Sequence, residues 1–125
     1  MFIYYNPNPE KRTTRDCVIR AISKLTGYDW ERTYIAICMQ GLMMHDMPDS
    51  NYVWSEYLYH HGFIRTPIPN TCPYCTTVRT FCDTHPKGSY ILAMDGHVVA
   101  VVNVDYYDTW DCGDEVPLYY WKGAF

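Results

Sequence analysis

The sequence predicts an α+β fold with N-terminal helices packed on a C-terminal antiparallel sheet, and three observations carry that expectation. Apolar residues recur at helical spacing through the first two-thirds of the 125 residues. From Ser89 onward they form short strand-like runs instead. Turn residues rich in Gly, Pro and Asn separate the runs, an order of helices first and strands after that belongs to the α+β class. With 48% apolar residues, the chain is expected to form a single domain over residues 1–125 with a real core, without linker or internal repeat.

The elements follow in order. Phe2-Ile3-Tyr4-Tyr5 reads as a short strand, and Asn6-Pro7-Asn8-Pro9 as irregular, because each proline biases the residue before it away from helix. A helix starts near Thr13 or Thr14; Val18, Ile19, Ala21, Ile22 and Leu25 give it an apolar face, and Gly27 stops it. Asp29 is the N-cap of a second helix, in which Trp30, Tyr34, Ile37 and Cys38 recur before Gly41. A third begins at Asp49 or Ser50, is lined by Tyr52, Val53, Tyr57 and Leu58, and ends at Gly62. After a Pro-rich loop over 68–74, a short helix over 76–84 stops before Pro86. Four strands, 90–94, 97–102, 106–110 and 116–121, are joined by Asp95-Gly96, Asn103-Val104-Asp105 and Cys112-Gly113-Asp114.

Composition narrows the function classes. A net charge of -4 without any Lys/Arg run leaves nothing to hold a phosphate backbone, so nucleic acid is not an expected partner. No segment approaches the ~18 consecutive apolar residues of a membrane span, and the first residues lack a charged start and apolar stretch. A cytoplasmic location without membrane contact is the expectation. The six cysteines then read as reduced thiols, metal ligands or a nucleophile rather than as disulfides. Thirteen tyrosines suggest a core and cleft built of amphipathic rings whose hydroxyls need partners.

Two distant features carry candidate chemistry. Asp16-Cys17-Val18-Ile19-Arg20-Ala21 puts a cysteine near a helix start, where unpaired N–H groups and the helix dipole favour thiolate. Residues 88–110, GSYILAMDGHVVAVVNVDYYDTW, put His97 at the head of an apolar strand and Asp108 on the return strand, before Trp110. An imidazole within reach takes the thiol proton and returns it to a leaving group, and an acid behind it fixes its tautomer. A tight hairpin at Asn103 to Asp105 brings Asp108 beside His97; a register offset by one brings Asp111 to that face instead. Trp110 then covers the acid–imidazole contact and excludes water. Each residue taken alone also has a plain structural reading: Cys17 as core filler, His97 as a strand-edge residue, Asp108 and Asp111 as solvated acids flanking turns.

In chain order Cys, His, Asp, the sequence resembles the papain-like cysteine peptidase superfamily, whose members head the central helix with the cysteine and carry His and Asn or Asp on adjacent strands. Asp108-Thr109-Trp110 stands where papain has Asn-Ser-Trp, and the aspartate variant is similar to peptidase domains that process bacteriocin leaders. The Asn-Pro-rich start and the Asp-Cys-x-x-Arg-Ala helix resemble small papain-fold proteins of Gram-positive bacteria and their phages. The resemblance covers the helix at Cys17 and the C-terminal half. It implies a papain-like fold and a thiol hydrolase: Cys17 as nucleophile, His97 as general base and acid, Asp108 as orienter, a peptide or isopeptide bond cleaved through a thioester, a peptide or protein substrate, and no metal or organic cofactor.

Such enzymes carry a glutamine about six residues before the cysteine, where this chain has Lys11. A side-chain amide from Asn8, or Asn6, is the expected replacement in the oxyanion hole. The favoured reading of Asp16 is a helical salt bridge with Arg20 at i,i+4, worth ~0.3–0.5 kcal/mol when exposed, and the resemblance to small papain-fold proteins implies that Asp16 also helps shape the site. The alternatives are a transglutaminase-like acyltransferase and a non-catalytic interaction protein of the kind a phage encodes against a host factor. Cys72-Pro73-Tyr74-Cys75 with Cys82 and His85 has a spacing that a Cys₃His zinc site permits, although incidental loop thiols are the favoured reading. Met39, Met43, Met44 and Met47 read as core or helix-end packing ahead of a docking surface, and His60 and His61 as cations at a helix end.

Overall fold

The computed structural model describes residues 1–70 and 73–123. Its elements are β1 (Phe2–Tyr4), α1 (Cys17–Thr26), α2 (Trp30–Met44), α3 (Asn51–His60), β2 (Ile64–Pro67), α4 (Val78–Thr84), β3 (Ser89–Met94), β4 (His97–Val102), β5 (Asp105–Asp108) and β6 (Tyr119–Lys122). The class is α+β, with the sheet ordered β1-β5-β4-β3-β6-β2. It is mixed rather than antiparallel throughout, because β1 joins β5 in parallel, Phe2 opposite Tyr106 and Tyr4 opposite Asp108. An unexpected strand, β2, closes the other edge against β6. Pro67 is tolerated as its last residue because an edge strand leaves one side without ladder donors.

Alternation along β3 and β4 divides the core between the two faces of the sheet. Ile91, Ala93, Val98 and Ala100 pack with Ala21, Ile22, Leu25, Ile37, Val53, Trp54 and Leu58 of α1 to α3. Leu92, Met94, Val99 and Val101 pack with Val78, Phe81 and Cys82 of α4. Both faces of β3 are covered, so all six of its residues are buried. That is why its sequence reads as a continuous apolar run rather than an alternating one.

Helix α1 starts at Cys17, three to four residues later than its pattern suggests. The preceding loop uses its polar groups on itself: Asn6 Oδ1 accepts the Asn8 N–H at 3.2 Å, Asn8 Oδ1 accepts the Glu10 N–H at 2.9 Å, and Asn6 Nδ2 donates to the Arg12 carbonyl. Lys11 has φ 57°, a conformation that does not continue into a right-handed helix. Gly27, at φ 78°, ends α1 by donating to the Ser23 carbonyl, as expected of a left-handed cap. Gly41 does not end α2. The helix runs through it to Met44, and a Cβ there would lie 2.8 Å from the Asp46 carbonyl oxygen. Close backbone approach, not termination, is therefore what glycine provides at this position.

Helices α2 and α3 begin at the expected caps, Asp29 accepting the Arg32 N–H and Ser50 the Tyr52 N–H. Thr77 and Thr80 form a reciprocal capping box on α4. Of the four methionines expected to pack, Met44 joins the core while Met39, Met43 and Met47 are exposed. Among the described residues no helix is long and apolar enough to cross a membrane.

The β4–β5 connection positions the site. Val102 pairs with Asp105 and Val101 with Tyr106, so the turn holds two residues, Asn103 and Val104, one fewer than expected. Both have positive φ, 47° and 77°, the pattern of a two-residue hairpin that matches strand twist. Asn103 suits it, and its Oδ1 accepts the Gly88 N–H at 3.0 Å. In this register odd-numbered residues of β4 share a face with even-numbered residues of β5, so His97 and Asp108 lie together.

Candidate active site

Cys17 is the first residue of α1 and is half-buried. Burial works against its ionisation, but a hydrogen bond from His97, another from the Val98 backbone N–H, and the charges of His97 and Arg20 outweigh it and hold the thiol below its ordinary 9.0. Helix start and imidazole thus act in the same direction.

His97 Nε2 meets Asp108 Oδ2 at 2.5 Å, which leaves Nδ1 as the nitrogen for the thiol. Burial disfavours the imidazolium, yet the hydrogen bonds to Asp108 and Cys17 and their negative charges raise His97 to about 9. Asp108 is 1% exposed. Burial pushes its carboxyl up, and His97, the Thr109 N–H and the Cys112 thiol more than reverse that. The Trp110 ring lies 4.9 Å from the imidazole, tilted by 40°, and is itself exposed. The alternative acid, Asp111, accepts instead from the Tyr106 hydroxyl at 2.5 Å and the Gly113 N–H at 3.0 Å.

The i,i+4 pair of Asp16 and Arg20 forms and is buried, each side chain 5% exposed, so the small value of an exposed pair does not apply to it. Arg20 Nη1 donates to Asp16 Oδ1, Arg20 Nη2 donates to Asp108 Oδ1 at 2.9 Å, and Trp30 Nε1 donates to Asp16 Oδ2 at 2.9 Å. Sequence reasoning gave Arg20 no part in the site. The available signal was its position three residues after Cys17, on the same helix face, within an otherwise apolar stretch.

Asn8 lines the cleft beside Cys17. Its Oδ1 holds the Glu10 N–H, so its NH₂ is the end available to a ligand. Asn6 is committed to the loop at both polar atoms and does not line the cleft. Lys11 donates its ammonium to the Asn6 carbonyl at 2.9 Å. The cleft has a volume of about 900 Å³ and carries Trp30, Tyr34, Trp54 and Tyr119 on its walls. Its size and aromatic walls with a few polar groups fit an organic ligand or a peptide segment.

Two groups of potential metal ligands differ in outcome. His97, Asp108 and Cys112 offer ligand atoms within 4.8 Å of one another. Burial and the adjacent Asp108 push the Cys112 thiol far up, so it stands as an S–H donor to a carboxylate already bound to His97, a poor metal ligand. Of the four candidates around the Cys-x-x-Cys, Cys72 lies outside the described residues. Cys82 is raised to about 11, chiefly by burial, and packs in the core on the α4 side. His85 stacks on Phe81 with centroids 3.8 Å apart, its Nδ1 within 2.9 Å of the Phe81 carbonyl oxygen. Among the described residues, Cys75, Cys82 and His85 do not form a metal-sized cluster.

Cys17 and His97 line the cleft, Asp108 is bonded to the imidazole from behind, and His97 favours the Cys17 thiolate, an arrangement able to carry a thiolate–imidazolium pair. Comparisons with family models, curated proteins and solved structures found no match.

Proposed function

We propose that the chain is a papain-like thiol hydrolase that cleaves a peptide or isopeptide bond of a peptide or protein substrate in the cytoplasm. The observation that carries this reading is the array Cys17–His97–Asp108, with a 2.5 Å His97–Asp108 contact, a thiol held below its ordinary value and an imidazole held above its own. The Cys17 thiolate attacks the carbonyl carbon, and its electron pair forms the C–S bond while the carbonyl π pair moves to oxygen. The Cys17 backbone N–H, free of an intrahelical partner at the first helical position, and the Asn8 amide stabilise that oxyanion. As the C–N bond breaks, the His97 imidazolium gives its proton to the departing amine, leaving a thioester. Water then adds with His97 taking its proton, and release of the acid restores thiol and imidazole. Asp108 holds the imidazole orientation and balances its charge throughout.

The acyltransferase reading changes only the second step, an amine replacing water. The binding-protein reading draws on Lys11, which stands where a papain-like enzyme has its oxyanion glutamine and binds the Asn6 carbonyl.

The test is incubation with a proteome-derived peptide library and with a peptide thioester, each read by mass spectrometry for wild type and Cys17→Ala. New peptide termini, and an acyl adduct on Cys17 whose mass disappears in the variant, are expected. Absence of both cleavage and adduct overturns the hydrolase reading. Added glycinamide turning up in the products assigns acyl transfer instead.

A further inference from the structure

Five charged or chargeable side chains alternate in sign from the buried interior, at Asp16, Arg20 and Asp108, out to the cleft, at His97 and Cys17. Asp16 meets Arg20, Arg20 meets Asp108, Asp108 meets His97, and His97 meets Cys17. Asp16 and Asp108 are 5% and 1% exposed and Arg20 is 4% exposed, so water screens these contacts weakly. The guanidinium has a planar fork, and each of its terminal nitrogens serves a different carboxylate, a geometry an ammonium cannot reproduce. Trp30 holds the far oxygen of Asp16, so the fork is fixed at its outer end. At its inner end it shares Asp108 Oδ1 with the Thr109 N–H, which leaves Oδ2 directed at His97.

Resting on the proposed nucleophilic role of Cys17, the geometry points to Arg20 as a positioning residue that aims the Asp108 carboxylate at His97 and supplies positive charge to the thiolate. Asp16 and Trp30 anchor it. Arg20 acts through Asp108 and Cys17 and takes no part in bond making.

Removal has a defined sign. If Asp108 stays ionised without Arg20, the thiolate loses a nearby cation and Cys17 becomes harder to ionise. If Asp108 takes up a proton instead, the imidazolium loses its counter-charge and the thiolate loses the imidazolium, again making Cys17 harder to ionise. The other ionisable groups facing this centre do not reverse that sign. Cys112 is a neutral donor to Asp108, and Arg12, Arg15, Asp49 and Asp95, with Tyr34, Cys38 and Tyr119, line the same cleft and are unchanged by the substitution.

The experiment is the pH dependence of Cys17 alkylation by iodoacetamide, resolved by residue, in wild type, Arg20→Gln and Arg20→Lys. Arg20→Gln is expected to move the Cys17 midpoint up by about one pH unit, a tenfold loss of thiolate on the acid limb, and Arg20→Lys to return only part of it, because an ammonium restores the charge but not the fork between two carboxylates. Should Arg20→Gln not fold, Asp16→Asn/Arg20→Gln removes the two charges together, strands neither partner of that pair, and carries the same prediction. A folded variant that melts earlier while its Cys17 midpoint stays at the wild-type value makes Arg20 purely structural and overturns this inference alone. A wild-type Cys17 that titrates as an ordinary thiol overturns both this inference and the proposed function.

Discussion

Replacing His97 by alanine removes the largest influence that favours the Cys17 thiolate while leaving the burial that opposes it. Burial remains as the largest single influence, so the variant thiol is expected to titrate above the wild type, which lies below the ordinary 9.0. At pH 5.5 a thiol of that ordinary value is ionised in only ~3 molecules in 10⁴, since each pH unit below the midpoint is a factor of ten. Intrinsic reactivity partly offsets the gain, because a less basic thiolate is slower by about 0.4–0.5 log units per unit of pKa. On the acid limb, therefore, each unit separating the two midpoints costs His97→Ala about threefold in alkylation rate. The assay is iodoacetamide labelling across pH with peptide mass spectrometry. Cys38, which lines the same cleft, serves as an internal control, and Cys82 and Cys112 serve as buried thiols raised by burial. The reasoning is refuted if His97→Ala leaves the Cys17 midpoint where it was.

Hydrolysis should follow a bell-shaped pH profile. The active pair exists only above the Cys17 pKa and below that of His97, so the alkaline limb should fall near pH 9 as the imidazolium loses the proton meant for the leaving group. Asp108→Ala should destabilise the fold by about 3–5 kcal/mol in urea unfolding, because it leaves Arg20 buried with one partner and takes from His97 its carboxylate. Because folding lowers the Asp108 pKa, its share of stability is present above its unfolded value of 3.8 and is lost as pH falls through the folded one. Asp108→Asn should accordingly flatten the acid end of a melting-temperature profile. Gly41→Ala should lower stability by about 1–3 kcal/mol even though alanine is the better helix former, since its Cβ would meet the Asp46 carbonyl at 2.8 Å; an unchanged or higher melting temperature would contradict the packing argument.

The legible parts of this molecule are those whose cause lies within a few residues. Helix α3 begins at Ser50 and turns at Gly62 because a hydroxyl cap and a left-handed residue act locally. Strand β4 matches its expected span from His97 to Val102 because its apolar run is uninterrupted. The edge strands were less legible. β1 reads as a strand, but nothing near it indicates that its partner is β5, about a hundred residues on, or that the pairing is parallel. β2 is a Pro-terminated stretch whose pairing exists only because β6 arrives beside it. Likewise Gly41 looks like a stop until the chain returns at Asp46 and Pro48 to press against it.

The candidate site divides along the same line. By itself the sequence determined the chemical types and their order: a cysteine at a helix start, a histidine heading an apolar strand, and acids on the strand that returns. The choice between Asp108 and Asp111 belonged to the tertiary structure, because it depends on whether the turn holds two residues or three. That is decided by the pairing of Val102 with Asp105 and the positive φ of Val104, an angle valine does not prefer. Arg20 belonged to the tertiary structure as well. Its i,i+4 spacing from Asp16 is visible in one dimension, but the second carboxylate it binds is 88 residues away. Whether that charge pair is a solvated ornament of a helix or a buried support of the Asp108 carboxylate depends on what covers it, and only the packing of α1 against the sheet supplies that cover.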